Sequence, residues 1–133
     1  MSASAFVRTS PSPERRTAPV RILTVGITGT DHHQLRVCLR DYECTFLRAH
    51  GSWEAVDLVR RHQPDVVLCE PALVGGTWKD LLSELQREPN PPKFIVCSLL
   101  ADDRLWSEVL NLGGYDVLLK PFDPTEVSRI VVG

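Results

Sequence analysis

The chain has 133 residues, with 15 Lys and Arg against 17 Asp and Glu, a size that allows one folded domain with a tail. A hydrophobic fraction of 43% and a charged fraction of 24% are typical of a soluble globular protein and exclude a disordered or fibrous chain. The sequence has no apolar run of the roughly 20 residues that a membrane span needs, and its net charge of −2 argues against a nucleic-acid partner.

Residues 1–20 are expected to form a disordered N-terminal leader ahead of one folded domain at residues 21–133. Ser, Thr, Pro and Arg are frequent in this leader, and they cannot bury enough apolar surface to offset the entropy cost of ordering. The leader carries a net charge of +2, so the predicted domain has a net charge of −4. Because the leader lacks the sustained apolar segment of a secretory signal, we expect a cytoplasmic protein.

Short apolar runs alternate with segments of helical period from residue 21 onward. The five apolar runs lie at residues 22–25, 45–47, 65–69, 94–98 and 116–119. Nearly continuous apolar strands are typical of a parallel sheet that helices cover on both faces. The alternation therefore predicts an α/β fold with a doubly wound, parallel five-stranded sheet.

Four helices are predicted between these runs from apolar residues at spacings of three and four. Their buried stripes are Leu35, Cys38 and Leu39; Ala55, Leu58 and Val59; Leu81, Leu82 and Leu85; and Leu105, Val109 and Leu112. Asp31 and Ser52 are predicted N-caps, and Gly113 is expected to end the fourth helix. Residues 123–126 have the pattern of a capping box, which predicts a short fifth helix at the end of the chain.

The four cysteines are widely spaced and show no C-x-x-C pattern. They lie inside apolar stretches, at Cys38, Cys44, Cys69 and Cys97. This spacing favours reduced thiols in the core over a zinc site or a disulfide framework.

Two stretches of the sequence indicate a family; the second is quite specific, whereas the first has a pattern shared by many α/β proteins. Residues 64–70 read PDVVLCE, and residues 113–124 read GGYDVLLKPFDP. They resemble the third strand, and the fifth strand with its following loop, of bacterial response-regulator receiver domains. The resemblance covers residues 21–133 and implies a flavodoxin-like (βα)5 fold with sheet order 2-1-3-4-5. In that family a histidine kinase transfers a phosphoryl group to an Asp at the end of the third strand.

The resemblance also implies a phosphorylation pocket from which this chain departs. Glu70 stands at the phosphoacceptor position and is one methylene longer than the family's Asp. The acidic pair that binds Mg²⁺ in the family is replaced by Gly26 and Ile27. We therefore expect phosphorylation and Mg²⁺ binding to be lost or very weak, with no other cofactor.

Two pocket positions match the family. Counted back from Lys120, which matches the Lys that meets the phosphoryl group, Ser98 matches the hydroxyl that closes the fourth strand. Counting forward from the prolines before that strand would instead place Cys97 at the hydroxyl position. Leu99 replaces the family's small residue and Val117 its aromatic switch.

Glu70 and Lys120 are expected to face each other as a permanent ion pair that fixes one conformation. The sequence is thus interpreted as a non-enzymatic, receiver-like signalling module with a degenerate phosphoacceptor pocket. It is expected to act in two-component or phosphorelay signalling through protein contacts, with a histidine kinase or a downstream effector as its partner. No contact with nucleic acid or membrane is expected.

The family's usual contact face consists of the fourth helix, the fifth strand and the fifth helix. In this chain the predicted face includes Trp106, Asp116, Glu126 and Arg129, and an exposed Trp there would anchor a partner or a homodimer.

Two other functional classes stay open at this stage. One is a regulator that is still phosphorylated, on Glu70. The other is a domain that binds cobalamin or another small ligand, because Asp31-His32-His33 resembles the D-x-H-x-x-G motif of cobalamin-binding domains with this fold. Arg36 stands where that motif has Gly.

Overall fold

The computed structural model describes residues 18–100 and 102–133 and contains one five-stranded parallel sheet. Its strands are β1 (Val20–Val25), β2 (Cys44–Ala49), β3 (Val66–Cys69), β4 (Lys93–Ser98) and β5 (Asp116–Leu119). They lie side by side in the order β2-β1-β3-β4-β5, and every neighbouring pair is parallel. The predicted fold class and strand order are therefore confirmed.

Five helices alternate with these strands. They are α1 (Gly29–Cys38), α2 (Ser52–His62), α3 (Trp78–Leu85), α4 (Asp103–Asn111) and α5 (Pro124–Val131). A small antiparallel hairpin, which pairs Ala72–Leu73 with Gly76–Thr77, lies between β3 and α3. None of the helices in the described parts of the chain is long and apolar enough to cross a membrane.

The hydrophobic core consists of two layers, one on each face of the sheet. Along each strand successive side chains point to opposite faces, so Val67 of β3 joins one layer and Leu68 the other. The helices α2, α3 and α4 cover the first layer, and α1 and α5 cover the second. Strands buried on both faces explain why the apolar runs are nearly continuous in the sequence.

The first strand begins one residue before the predicted domain boundary. Val20, assigned to the leader from the sequence, pairs with Cys44 and is buried, because it packs under the α1 and α5 side of the sheet. Of the other residues of the predicted leader, residues 1–17 lie outside the described residues, and residues 18 and 19 directly precede β1.

The predicted N-caps of the first two helices are wrong. Thr28 caps α1 instead of Asp31, because its hydroxyl stands ahead of the helix and accepts the Asp31 backbone N–H at 3.2 Å. Gly51 precedes α2, and Ser52 is the first helical residue. Glycine suits this position because a Cβ there would lie 2.6 Å from the carbonyl oxygen of Val74.

The ends of the last two helices follow the sequence more closely. The Asp123 carboxylate caps α5 by accepting the Glu126 backbone N–H at 2.9 Å, and Pro124 opens the helix. α4 ends at Asn111 because Gly113, with φ of +97°, turns the chain away. Leu112 therefore falls outside the helix and is exposed, contrary to its predicted place in the buried stripe.

Only two of the four cysteines are core residues. Cys69 and Cys97 are fully buried, and burial is the main reason that the pKa of each thiol is raised. Cys38 and Cys44 are half-buried at the edge of the α1 and α5 layer, so the prediction of core thiols is wrong for them. All four thiols are free.

Candidate functional site

The carboxyl ends of β3 and β5 bring the predicted charge pair together. The ammonium nitrogen of Lys120 donates to Oε2 of Glu70 at 2.6 Å. It also donates to Oδ2 of Asp31, in the first turn of α1, at 3.0 Å. The side chains of Lys120, Glu70 and Asp31 are 13%, 19% and 21% exposed, so these three residues, the Lys120 cluster, are mostly shielded from water.

The two carboxylates keep Lys120 charged. Burial alone lowers the pKa of Lys120, but the hydrogen bonds to Glu70 and Asp31 and their negative charges outweigh burial and raise it. Lys120 is therefore a fixed cation at physiological pH, and it joins α1 to the ends of β3 and β5.

Asp31 was not predicted as a pocket residue. The sequence interpretation assigned it to a helix cap and to a cobalamin-like motif. The signal that could have placed it is its position in the first turn of the helix after β1, since that turn opens at the same edge of the sheet as Glu70 and Lys120.

The positions of the family's acidic pair carry no side-chain oxygen. Gly26 has φ of +70°, and a Cβ there would lie 2.8 Å from Cδ2 of Leu73 and 3.6 Å from Cβ of Glu70. Ile27 is 5% exposed and belongs to the hydrophobic core, while its carbonyl oxygen accepts from the Arg48 guanidinium at 3.1 Å. Within residues 18–100 and 102–133, no three His, Cys, Asp or Glu side chains are grouped so that they could hold a metal ion.

The two candidates for the hydroxyl position, Ser98 and Cys97, lie in different surroundings. Ser98 is the last residue of β4, and its carbonyl oxygen accepts the backbone N–H of Lys120 at 2.9 Å. Its hydroxyl accepts the Leu100 backbone N–H at 3.0 Å. Cys97 is fully buried and opposite Leu118 in the sheet, so Ser98 is the residue at the strand end.

Two further departures from the family have different structural outcomes. Leu99, in place of the family's small residue, is 70% exposed. Val117 is buried in the layer under α2, α3 and α4.

The two histidines of the cobalamin-like stretch differ: His33, at the His position of the motif, is exposed, whereas His32 beside it is packed. His32 is 8% exposed, and its Nδ1 lies 3.2 Å from the hydroxyl of Thr24. Its ring packs edge-on against Phe46, with the two ring centroids 5.3 Å apart. Burial, followed by the charges of Arg48 and Arg36, lowers the pKa of His32. Asp31 and His32 are thus both held by contacts within the domain.

The predicted contact face lies on α4, β5 and α5. Trp106 is 48% exposed, and its indole N–H donates to Asp116 at 3.3 Å. On α5, Arg129 lies 3.9 Å from Glu126. Several exposed apolar side chains occur on α4, β5 and the turn between them: Leu110, Leu112, Tyr115 and Leu119. Trp53, at the start of α2, is 89% exposed and was not singled out from the sequence.

Comparisons with known proteins agree with this architecture. The family described as a response regulator receiver domain matches residues 30–132. The chain is 28% identical over 99 residues to the chemotaxis protein CheY of Thermotoga maritima. The match covers 70% of this chain and 82% of CheY.

Two solved structures show the same fold. The chemotaxis response regulator CheY4 of Vibrio cholerae matches with a TM-score of 0.74 and 15% identity, over 84% of this chain and 95% of that chain. The receiver domain of the Saccharomyces cerevisiae response regulator Ssk1, solved with the histidine phosphotransfer protein Ypd1, matches with a TM-score of 0.73 and 15% identity. That match covers 88% of this chain and 90% of the other.

Proposed function

Because the chain belongs to the response-regulator receiver domain family, we propose that it acts in two-component signalling through protein contacts, in one conformation that phosphorylation does not switch. The observation that carries this proposal is the Lys120 cluster. The carboxylate at the phosphoacceptor position, Glu70, is already paired with Lys120 at 2.6 Å. The domain has no catalytic role in this proposal.

The residues around this cluster do not fit Mg²⁺. The ion prefers octahedral oxygen coordination and is usually held through carboxylates. Position 26 offers no side chain, position 27 offers a buried Ile, and Glu70 is shared with an ammonium group. An incoming phosphoryl donor would meet Glu70 without a metal ion to offset the donor's negative charge.

The cluster gives the pocket a permanent cation bridge instead of a reversible one. In the family, the Lys at this position meets the phosphoryl group after transfer. Here two carboxylates of the chain itself, those of Glu70 and Asp31, hold Lys120. We infer that the strand ends and the β5–α5 loop keep one arrangement whatever the state of an upstream kinase.

Chemical phosphorylation of the native chain tests this proposal. The chain is incubated with acetyl phosphate and Mg²⁺, and its intact mass is measured against a Glu70→Ala variant that reports labelling elsewhere. We expect no mass increase that depends on Glu70. Stoichiometric, Mg²⁺-dependent labelling that the variant lacks would show instead a regulator that is phosphorylated on Glu70.

We further propose that the contact face on α4, β5 and α5 binds either a partner protein or a second copy of the chain. The partner protein would be a histidine kinase, a phosphotransfer protein or a downstream effector. Trp residues are frequent among the side chains that dominate interface energetics, and Trp106 is half-exposed beside other apolar side chains. The hydrogen bond from its indole to Asp116 holds the ring in place.

Sedimentation velocity over a range of protein concentrations tests the homodimer form of this proposal. Trp106→Ala should shift the chain toward monomer, while Trp53→Ala, which removes a more exposed Trp on α2, should leave the distribution unchanged. A native chain that is monomeric at every concentration would exclude the homodimer, and loss of the dimer in Trp53→Ala would place the interface on another face.

A further inference from the structure

Leu73 lies against the backbone at the first position of the missing acidic pair. A Cβ built on Gly26 would lie 2.8 Å from Cδ2 of Leu73, closer than side-chain carbons approach in folded proteins. Leu73 is partly buried and packs on the core layer beneath α2, α3 and α4. The space that a side chain at position 26 would enter is therefore already filled by an apolar group.

The backbone that carries Leu73 is fixed from two sides. Leu73 pairs with Gly76 in the antiparallel hairpin, and the next residue, Val74, forms a bridge with Gly51. The Val74 carbonyl also accepts the Ser52 backbone N–H at 3.2 Å. Relief of the contact with position 26 must therefore come from the Leu73 side chain.

The backbone at Gly26 adds a second obstacle. Its φ of +70° lies in the left-handed region, which glycine adopts without the steric cost that a Cβ brings. The Gly26 N–H donates to the carbonyl oxygen of Ala49 at 2.9 Å, so this conformation is held by the end of β2.

We propose that Leu73 and the left-handed Gly26 together close the site where the first carboxylate of a metal-binding pair would stand. A carboxylate restored at position 26 would then have to displace the Leu73 side chain, so shortening Leu73 should strengthen metal binding by a carboxylate-restored pocket. This inference rests on the proposed function, because it explains why the pocket does not accept Mg²⁺. Leu73 is therefore a positioning residue: its side chain disfavours metal binding by occupying the space beside Gly26.

The test uses carboxylate-restored variants and metal ions alone. Mn²⁺ binding is measured by electron paramagnetic resonance, with Mg²⁺ as competitor, in G26D/E70D and in G26D/E70D/L73A. The matched control is G26D/E70D/V74A, which shortens the neighbouring hairpin residue, 77% exposed in the native chain. Thermal melting of each variant checks that it is folded.

We expect Leu73→Ala to tighten Mn²⁺ binding over G26D/E70D because it frees space for the new carboxylate, by about tenfold, the lower end of the change in affinity that residues around metal ligands typically cause, and Val74→Ala to give no gain. Equal affinity in G26D/E70D and G26D/E70D/L73A, or no binding in either, would overturn the proposal. Tight Mn²⁺ binding by the native chain would instead overturn the proposed function.

A second measurement covers the case in which the carboxylate variants do not fold. Melting temperatures are compared for the native chain, G26A, L73A and G26A/L73A. We expect Leu73→Ala to lower the melting temperature less in the G26A background, because it removes the contact with the new Cβ. Equal falls in both backgrounds would overturn the proposal.

Discussion

Replacing Lys120 with Met tests whether the Lys120 cluster stabilises the fold. Methionine keeps most of the side-chain length but leaves Glu70 and Asp31 without the ammonium that both contact, at 2.6 and 3.0 Å. The two carboxylates would then lie close together, in a mostly shielded site, with no cation between them. Their mutual repulsion and incomplete hydration should destabilise the folded state.

The expected size of the effect follows from the exposure of the three side chains. Exposed ion pairs contribute about 0–1 kcal/mol, whereas breaking a buried pair costs about 3–5 kcal/mol. With exposures of 13–21%, the cluster lies between these limits but closer to the buried one. We expect the free energy of unfolding to fall by about 2–3 kcal/mol, or roughly 10 °C in melting temperature for a domain of this size.

Urea denaturation and thermal melting of Lys120→Met measure this loss. The control is the triple variant E70Q/D31N/K120M, which removes the uncompensated charges and should recover part of the lost stability. If Lys120→Met melts at the same temperature as the native chain, or the triple variant recovers nothing, the cluster does not stabilise the fold.

Three further outcomes follow from individual residues. Because the pKa of Lys120 is raised in the folded state, charged Lys120 contributes stability that is fully present below pH 10.5, the ordinary lysine pKa, and is lost as the pH rises through the pKa of the folded state. In alkaline melts, Lys120→Met should therefore lose less stability with rising pH than the native chain does. The pKa of His32 is lowered, mainly by burial. The stability that neutral His32 contributes is therefore fully present above pH 6.5, the ordinary histidine value, and is lost as the pH falls toward the pKa of His32 in the folded state. In melts on the acid side of pH 6.5, His32→Gln should lose less stability with falling pH than the native chain, and an unchanged pH dependence would contradict this expectation. Gly26→Ala should lower the free energy of unfolding by about 1–2 kcal/mol because of its left-handed backbone, whereas Gly29→Ala, with open space around its Cβ, should not be destabilising; equal losses in urea denaturation would contradict this.

The parallel sheet and the charge pair could be predicted from residue patterns, whereas the strand order was predicted from the resemblance to the family. Continuous apolar runs between helical stripes leave few arrangements for a strand that is covered on both faces. Glu70 and Lys120 each close such a run, and the ends of parallel strands meet at one edge of the sheet. Their residue types and positions were therefore enough to predict that the two side chains meet.

The N-caps and the edge of the core were harder to predict. Asp31 and Thr28 are both good capping residues, and only the path of the chain after β1 decides which hydroxyl or carboxylate stands ahead of the helix. Leu112 continues the apolar spacing of α4, but the left-handed turn at Gly113 ends the helix before it. A periodic pattern does not record where the backbone turns away.

The sequence by itself determined the architecture, the family and the replacement of the acidic pair by Gly26 and Ile27, since these follow from residue types along the chain. Only the tertiary structure decided that Asp31 shares Lys120 with Glu70 and that Leu73 fills the space beside Gly26. These contacts join residues far apart in the chain: Lys120 and Asp31 are 89 positions apart. Their distances depend on how helix, hairpin and strand ends pack at one edge of the sheet, which no local pattern specifies.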